Sequence, residues 1–399
     1  MTLLPKLAHS LDAWPLFESP GSKSCWAVGS NSIDRYLTVP AESADAVQLA
    51  LQLMDGSRTV EEISMTLQSR IGRSMDVARL ARLAGSAGLL TTLPDGVRAS
   101  RSQFDRLSLT LFTLPLGRAF GWIEANAKSL PAIWLSAQAA IAFLAVAMMI
   151  VLPPASAGGA VPVAAVTVAC LLSLLAHEAS HCFVALDKGV KPTSLSVAIY
   201  AGVMPVMYVR LPGIFRLAPG DRLRVWIAGC LCNGVIALAS NAIARLPGLS
   251  AQSGAFWSYV ERWNVALIIV SLVPFLPTDG YFILSTILRT HNLRSRAYSA
   301  AGAMLNGRLT GFDWKAFLFL LAAVLAIVAG IVSSASQWTS WAQRHGVPPA
   351  WGWGMPFFFL FCAWILRTAG ERINNWRWGT MTSKKMAGES SAVFPNFQE

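Results

Sequence analysis

The stretch Leu171–Leu186, LLSLLAHEASHCFVAL, decides the fold because it places three ionisable side chains inside an apolar helix. His177, Glu178 and His181 form the pattern His-Glu-x-x-His. Residues four apart lie on one face of a helix, so both imidazoles can reach one metal ion. Glu178 lies beside them, where it can activate a metal-bound water. The surrounding apolar run 163–186 is long enough to cross a bilayer, and ionisable groups at membrane depth are costly and usually functional. These features favour a metal site over a pair of core histidines.

The composition predicts a membrane protein with a polar part attached. The chain of 399 residues is 54% hydrophobic and 13% charged, whereas soluble domains carry about 25% charged residues. The formal net charge is +11, but the basic residues fall between apolar segments, as in proteins whose charges encode membrane topology. The six cysteines lie mostly in apolar runs without a Cys-x-x-Cys pair, so no disulfide framework is expected.

The N-terminal part, residues 1–95, has a different pattern from the rest of the chain. Short strands, three short helices and a returning strand predict an α+β winged-helix domain. Thr59 and Glu62 match the Thr-x-x-Glu pattern of a helix capping box. The predicted strands are Cys25–Val28, Tyr36–Val39 and Leu89–Leu90, and two of the predicted helices are 44–54 and 76–87.

Two stretches of this part resemble a known peptide-binding domain. MDGSRTVEEISMTLQ (54–68) and VARLARLAGSAGLL (77–90) are similar to the winged-helix domain of the pyrroloquinoline quinone peptide chaperone, known more widely as the RiPP recognition element. The resemblance covers about residues 20–92. It implies that the domain binds the leader of a ribosomally made precursor peptide, which adds as a strand to the sheet edge.

Two alternatives for the N-terminal domain remain open: DNA binding by the same architecture, and a purely structural cap. The predicted third helix carries Arg79 and Arg82 but no dense basic row with base-reading side chains. No nucleic-acid partner is therefore expected.

The rest of the chain divides into three parts by composition. Residues 96–131 are predicted to be a linker or a segment lying at the membrane interface. Residues 132–369 hold apolar segments each near the ~20 residues that a span requires, which predicts a polytopic α-helical membrane domain with about six transmembrane helices. Residues 370–399 are predicted to be a basic, disordered cytoplasmic tail touching anionic lipid. The apolar segments are about 132–153, 163–186, 223–244, 263–288, 316–336 and 352–368.

The distribution of Lys and Arg predicts the orientation, because basic loops stay in the cytoplasm. Both termini are expected to be cytoplasmic. Residues 195–213 are too broken for a span and predict a re-entrant hairpin or a strand pair, which could offer an edge to a peptide substrate. An interfacial loop is the alternative.

A third metal ligand is predicted in the fourth apolar segment, at LVPFLPTDGYF (272–282). Pro274 and Pro277 break the helix, and Asp279 lies at the break. An unpaired carboxylate in an apolar run is costly, and a metal ion removes that cost. Catalytic zinc sites usually hold three protein ligands and an open position. The alternative is that Asp279 caps the new helix.

The third apolar segment adds Asn233 in the stretch AGCLCNG (228–234). Its amide is a neutral hydrogen-bonding group at membrane depth. It can hold a substrate carbonyl or stabilise an oxyanion, which makes it a candidate catalytic residue. It can equally join two helices.

HEASH (177–181), the segment Gly229–Gly234 and PFLPTDGYF (274–282) together resemble the site-2 protease family of intramembrane zinc metalloproteases. The resemblance spans about residues 165–290. It implies a core of that fold, Zn2+ held by His177, His181 and Asp279, and Glu178 as the catalytic base of peptide-bond hydrolysis. One departure is that the family's Asn-Pro-x-Asp-Gly has Leu276 in place of the Asn. No PDZ-like insertion is visible.

GVMPVMYV (202–209) and DGYFIL (279–284) are more similar to a bacterial subgroup of peptide zinc metalloproteases, often found with modified-peptide clusters. This resemblance implies a multi-pass protein of the bacterial inner membrane that matures a precursor peptide by cutting its leader. One alternative is regulated cleavage of a membrane-spanning signalling protein. Another is a zinc-containing transport or immunity component that binds peptide without cutting it.

Overall fold

The computed structural model describes residues 4–17, 25–91, 108–126 and 161–346, apart from short gaps at 9, 31–34, 73, 201–203, 277, 291, 308–312 and 345. The chain divides into two compact units. One comprises residues 1–100, 114–195 and 208–319, and the other comprises residues 101–113, 196–207 and 320–399.

The N-terminal part is an antiparallel sheet of three strands followed by three helices. The strands are β1 (Asp12–Phe17), β2 (Cys25–Ser30) and β3 (Arg35–Pro40), with β2 in the centre. The helices are α1 (Ala41–Gln52), α2 (Val60–Ile71) and α3 (Val77–Ser86). Apolar side chains from one face of each helix and from β2 make the core, among them Val28, Leu51, Met54, Ile63 and Leu67.

The local sequence signals of this part explain where its helices begin. The predicted capping box is confirmed: Thr59 accepts from the Glu62 amide, and the Glu62 carboxylate accepts from the Thr59 amide. Asp76 caps α3 by accepting from the Arg79 amide at 2.8 Å. The predicted returning strand at Leu89–Leu90 is reduced to one bridge with Leu7, while β1 was not predicted at all.

A second sheet has the strand order β4-β5-β6. Strand β4 (Ser108–Pro115) lies in the predicted linker and is followed by α4 (Gly117–Asn126). Strands β5 (Ser194–Tyr200) and β6 (Met204–Arg210) form the strand pair that was one of the two predictions for this stretch.

Six helices complete the described chain. A 3₁₀ turn at Ile214–Arg216 precedes the second of them. Helix α6 packs against both α5 and α7. The helices are α5 (Val163–Asp187), α6 (Pro219–Ala244), α7 (Ala251–Leu272), α8 (Asp279–Ile287), α9 (Leu293–Leu305) and α10 (Trp314–Arg344).

The prediction of a polytopic membrane protein with about six transmembrane helices on a site-2 protease-like core is wrong. Among the described residues only α5 and α6 are long and apolar enough to cross a membrane, and two small antiparallel sheets accompany the helices. The predicted segment 263–288 is divided between α7 and the nine-residue α8, because the helix ends just before Pro274. The predicted segments 132–153 and 352–368 lie outside the described residues, as does the predicted tail.

Candidate metal centre

Helix α5 presents both histidines of the HEASH motif on one buried face. The Nε2 atoms of His177 and His181 lie 3.2 Å apart. The four-residue spacing alone explains this approach, because it places the two side chains one above the other. Both imidazoles are buried.

Asp279 reaches the histidines because the chain turns sharply between α7 and α8. It is the first residue of α8, and its Oδ2 lies 3.1 Å from Nε2 of His177 and 3.4 Å from Nε2 of His181. Helix α8 starts directly against the end of α7: a Cβ on Gly280 would lie 2.2 Å from the Leu272 carbonyl oxygen. Only glycine fits there, so the Asp-Gly pair provides both the candidate ligand and the tight turn.

The three ligand atoms form a triangle with edges of 3.1, 3.2 and 3.4 Å. A tetrahedral ion with bonds of about 2.0–2.1 Å holds its ligand atoms about 3.3–3.4 Å apart. Three electron-rich atoms this close repel one another unless a cation or protons lie between them. His177, His181 and Asp279 can therefore hold a metal ion.

A backbone carbonyl sets the orientation of His181. Its Nδ1 lies 2.7 Å from the carbonyl oxygen of Val225 in α6. A carbonyl only accepts, so Nδ1 carries the proton and Nε2 keeps its lone pair for a metal. Such a bond also raises the basicity of the ligand nitrogen.

Asn233 plays the corresponding part for His177. Its side-chain amide lies 2.9 Å from Nδ1 of that histidine. In the arrangement observed, Nδ2 faces the ring, while Oδ1 finds no hydrogen-bond donor within the described chain. Turning the amide by 180° gives Oδ1 the Nδ1–H donor and frees Nε2 for a metal. The predicted catalytic residue thus contacts a candidate metal ligand directly, and its role towards an oxyanion stays a prediction.

Gly229 gives the imidazoles the space that they occupy. A Cβ at this position would lie 2.4 Å from Nε2 of His177 and 2.6 Å from Nε2 of His181. No side chain fits, so the backbone of α6 forms one wall of the site. Small residues are frequent where helices approach closely, but Gly229 alone did not predict that α6 packs closely on α5.

Glu178 lies between the two histidines in the sequence. Its side chain is buried and hydrogen-bonded to a strand. Its Oε2 accepts from the backbone N–H of Val209 in β6, at 3.2 Å. The candidate base is therefore fixed by the backbone of the hairpin. Sequence analysis missed this contact because backbone donors leave no residue-type signal.

Packing between α6 and α8 supports the position of Asp279. Trp226 and Phe282 stack with ring centroids 4.5 Å apart and an interplanar angle of 20°. Phe282 lies three residues after Asp279 on the same short helix. The stack therefore anchors the helix that carries the third candidate ligand.

The described structure is thus a mainly helical chain with two small antiparallel sheets and a buried His-His-Asp group able to hold a metal ion. No protein-family model matches this chain, and no curated protein or solved structure shows significant similarity to it.

Proposed function

We propose that this protein is a zinc-dependent endopeptidase. The observation that carries the proposal is the triangle of His177, His181 and Asp279 ligand atoms, 3.1–3.4 Å apart, next to Glu178 on the same helix. Imidazole and carboxylate ligands suit zinc. Three protein ligands leave the fourth position that catalytic zinc sites keep for water or substrate.

The chemistry follows from the positions of the side chains. His177, His181 and Asp279 would hold the zinc ion, which would polarise a substrate carbonyl and lower the pKa of a bound water towards ~7. Glu178 takes the proton of the attacking water and delivers it to the leaving amine. Asn233 and the Val225 carbonyl hold the two imidazoles in the protonation state that leaves each Nε2 available. Peptide-bond hydrolysis needs no further group from the chain.

The end of β6 offers a place for the substrate backbone. Val209 donates its N–H to Glu178, so the segment 208–210 runs past the candidate base. β6 is also the last strand of its sheet. An extended peptide can pair with such an edge through backbone hydrogen bonds.

The proposed place of action is a bacterial cell membrane, with lipid as a partner. Five apolar side chains of α5 are between 41% and 80% exposed in the described structure. A monomeric soluble protein rarely exposes a contiguous apolar patch of large size. Lipid contact with α5 and α6 would cover these side chains, which are Val163, Val168, Leu171, Leu172 and Leu175.

The proposed substrate is a ribosomally made precursor peptide whose leader binds the N-terminal domain. β3 is an edge strand, and α3 contacts it. On α3, Leu83 is 49% exposed although it is a large apolar residue. A leader added as a strand beside β3 could cover Leu83, which is the mode of binding that the sequence resemblance implies.

The test is cleavage of a short precursor peptide encoded beside this gene. Purified full-length protein in detergent is loaded with zinc and compared with Glu178→Gln. We expect cleavage by the wild type, and none by the variant at equal zinc content. Equal cleavage by both proteins would overturn the role of Glu178.

Zinc binding without hydrolysis of any candidate would favour a peptide-binding component that does not cut. Cleavage only of a membrane-spanning signalling peptide would retain the protease and replace the substrate.

A further inference from the structure

The interface of α5, α6 and α7 is polar beyond the metal centre. Ser173 on α5 and Asn264 on α7 are buried, as are Ser240, Asn241 and Glu261. Buried polar groups are expensive unless hydrogen-bonded, so a cluster of them between apolar helices requires an explanation.

The hydrogen bonds of this cluster fix which atoms donate. Asn264 donates both Nδ2 hydrogens, to Ser173 Oγ at 3.1 Å and to the Val260 carbonyl at 2.9 Å. Asn241 donates Nδ2 to Glu261 Oε1 at 2.7 Å and accepts from Arg245 Nε at 3.0 Å. Neither asparagine amide can rotate without losing both of its bonds.

Several buried oxygen atoms of this interface lack a hydrogen-bond partner in the described part of the chain. Asn264 Oδ1, Glu261 Oε2 and Ser240 Oγ have no hydrogen-bond partner among the described residues. Each buried polar atom without a partner destabilises the folded state. Three in one interface are best explained by water, which occupies polar sites where two to four partners converge.

Helix geometry places these atoms in a series that leads to the metal centre. Ser173 precedes His177 by one turn, or ~6 Å along α5. On α6, Asn233, Ser240 and Asn241 share one face, and Asn241 lies ~12 Å along the axis from Asn233. The bonds from Asn264 to Ser173 and from Asn241 to Glu261 place α7 alongside both helices.

We infer that this series, the polar tract, is a water-filled path that runs from Arg245 between α5, α6 and α7 to the candidate metal centre. It supplies the water molecule that each hydrolysis consumes. The inference rests on the proposed function, which requires such water at a buried site. The oxygens without donors line the path and hydrogen-bond to the water in it.

The test measures entry of a small aqueous ion, and it needs no cleavage. Ser240→Cys replaces a hydroxyl of the polar tract, and Leu238→Cys places a buried thiol almost opposite on the same helix. Both proteins carry the same native cysteines. Each is exposed to Ag⁺, and the introduced thiol is then alkylated in denaturant and quantified by mass spectrometry. A thiol that has bound Ag⁺ is protected from alkylation. We expect this protection to develop several-fold faster in Ser240→Cys than in Leu238→Cys.

A second pair of variants tests continuity. Ser173→Cys lies deeper in the polar tract, and Glu261→Met fills the path between Arg245 and Ser173. We expect protection of the thiol at 173, and slower protection when Glu261→Met is added. The thermal unfolding temperature, compared with that of the wild type, is the check that each variant is folded. Equal rates at 240 and 238, or no effect of Glu261→Met, would overturn the tract. The same measurement in Glu178→Gln separates this result from the fate of the proposed function, because it does not depend on activity.

Discussion

The Nδ1 atom of His177 and the side-chain amide of Asn233 lie 2.9 Å apart and join α5 to α6. The contact bridges 56 residues of sequence and reaches the ring on the side away from Asp279. Asn233 therefore governs which nitrogen of His177 carries the proton. Only the form protonated at Nδ1 offers Nε2 to a metal.

Removing the Asn233 amide should weaken metal binding. We expect Asn233→Ala to lose about 10–100-fold in zinc affinity, as is typical when a partner of a metal-binding histidine is removed. Asn233→Asp keeps an acceptor for Nδ1–H and should retain most of the affinity. Competition with a chromophoric chelator measures both variants. Wild-type affinity in Asn233→Ala would show that His177 needs no orienting partner.

A methyl group at Gly229 should abolish the site. Gly229→Ala places Cβ within 2.6 Å of the Nε2 atoms of both His177 and His181, which no packed structure tolerates. The matched control is Gly234→Ala on the same helix, where a Cβ would meet nothing within 4 Å. We expect zinc content near zero for the first variant and near the wild-type value for the second. Full zinc binding by Gly229→Ala would mean that α6 does not lie against the imidazoles.

Arg222 should hold the N-terminal sheet to the start of α6. Its side chain is only 2% exposed, and its Nη2 donates to the Leu16 carbonyl of β1 at 3.1 Å. Removing a charged hydrogen bond of this kind costs about 1.5–3 kcal/mol. We expect faster hydrogen exchange in residues 12–17 of Arg222→Met. Arg224→Met, at an exposed arginine of the same turn, should leave that exchange unchanged. Identical exchange in the two variants would show that the Arg222 side chain does not stabilise the contact with β1.

The capping box of α2 should make a local contribution to stability. Thr59→Ala removes the acceptor for the Glu62 amide and should cost about 0.5–2 kcal/mol. Hydrogen exchange of the peptide covering 60–71 reports this loss. Thr66→Ala in the same helix is the control, because its hydroxyl donates to a helical carbonyl and caps nothing. Equal exchange in Thr59→Ala and wild type would show that other contacts hold the start of the helix.

Local signals in the sequence predicted the elements that short-range physics controls. The four-residue spacing of His177 and His181, the break at Pro274 and the capping box at Thr59 all act within one or two turns of chain. Asp279 was predicted as a ligand from the cost of burying a lone carboxylate, and the structure brings it to the two histidines.

The remaining features depend on contacts between distant segments. β4 lies in a stretch that was predicted to be a linker, and β1 was missed, since strand pairing depends on partners that a single sequence does not identify. The sequence alone allowed the amide of Asn233 to face either a substrate or another helix. The packing of α6 on α5 places it against His177. Apolar composition alone overestimated the number of spans among the described residues, because the predicted segment 263–288 is divided between α7, which ends at Leu272, and the short helix α8.

The most direct measurement of the central claim is the coordination of zinc in the purified full-length protein. Elemental analysis gives the stoichiometry, and X-ray absorption gives the ligand atoms and distances. We predict one zinc per chain with only nitrogen and oxygen ligands at about 2.0–2.1 Å. His177→Ala and Asp279→Ala should each lose this zinc. Absence of bound metal, or a sulfur shell at about 2.3 Å from cysteines such as Cys230, would contradict a centre built from His177, His181 and Asp279.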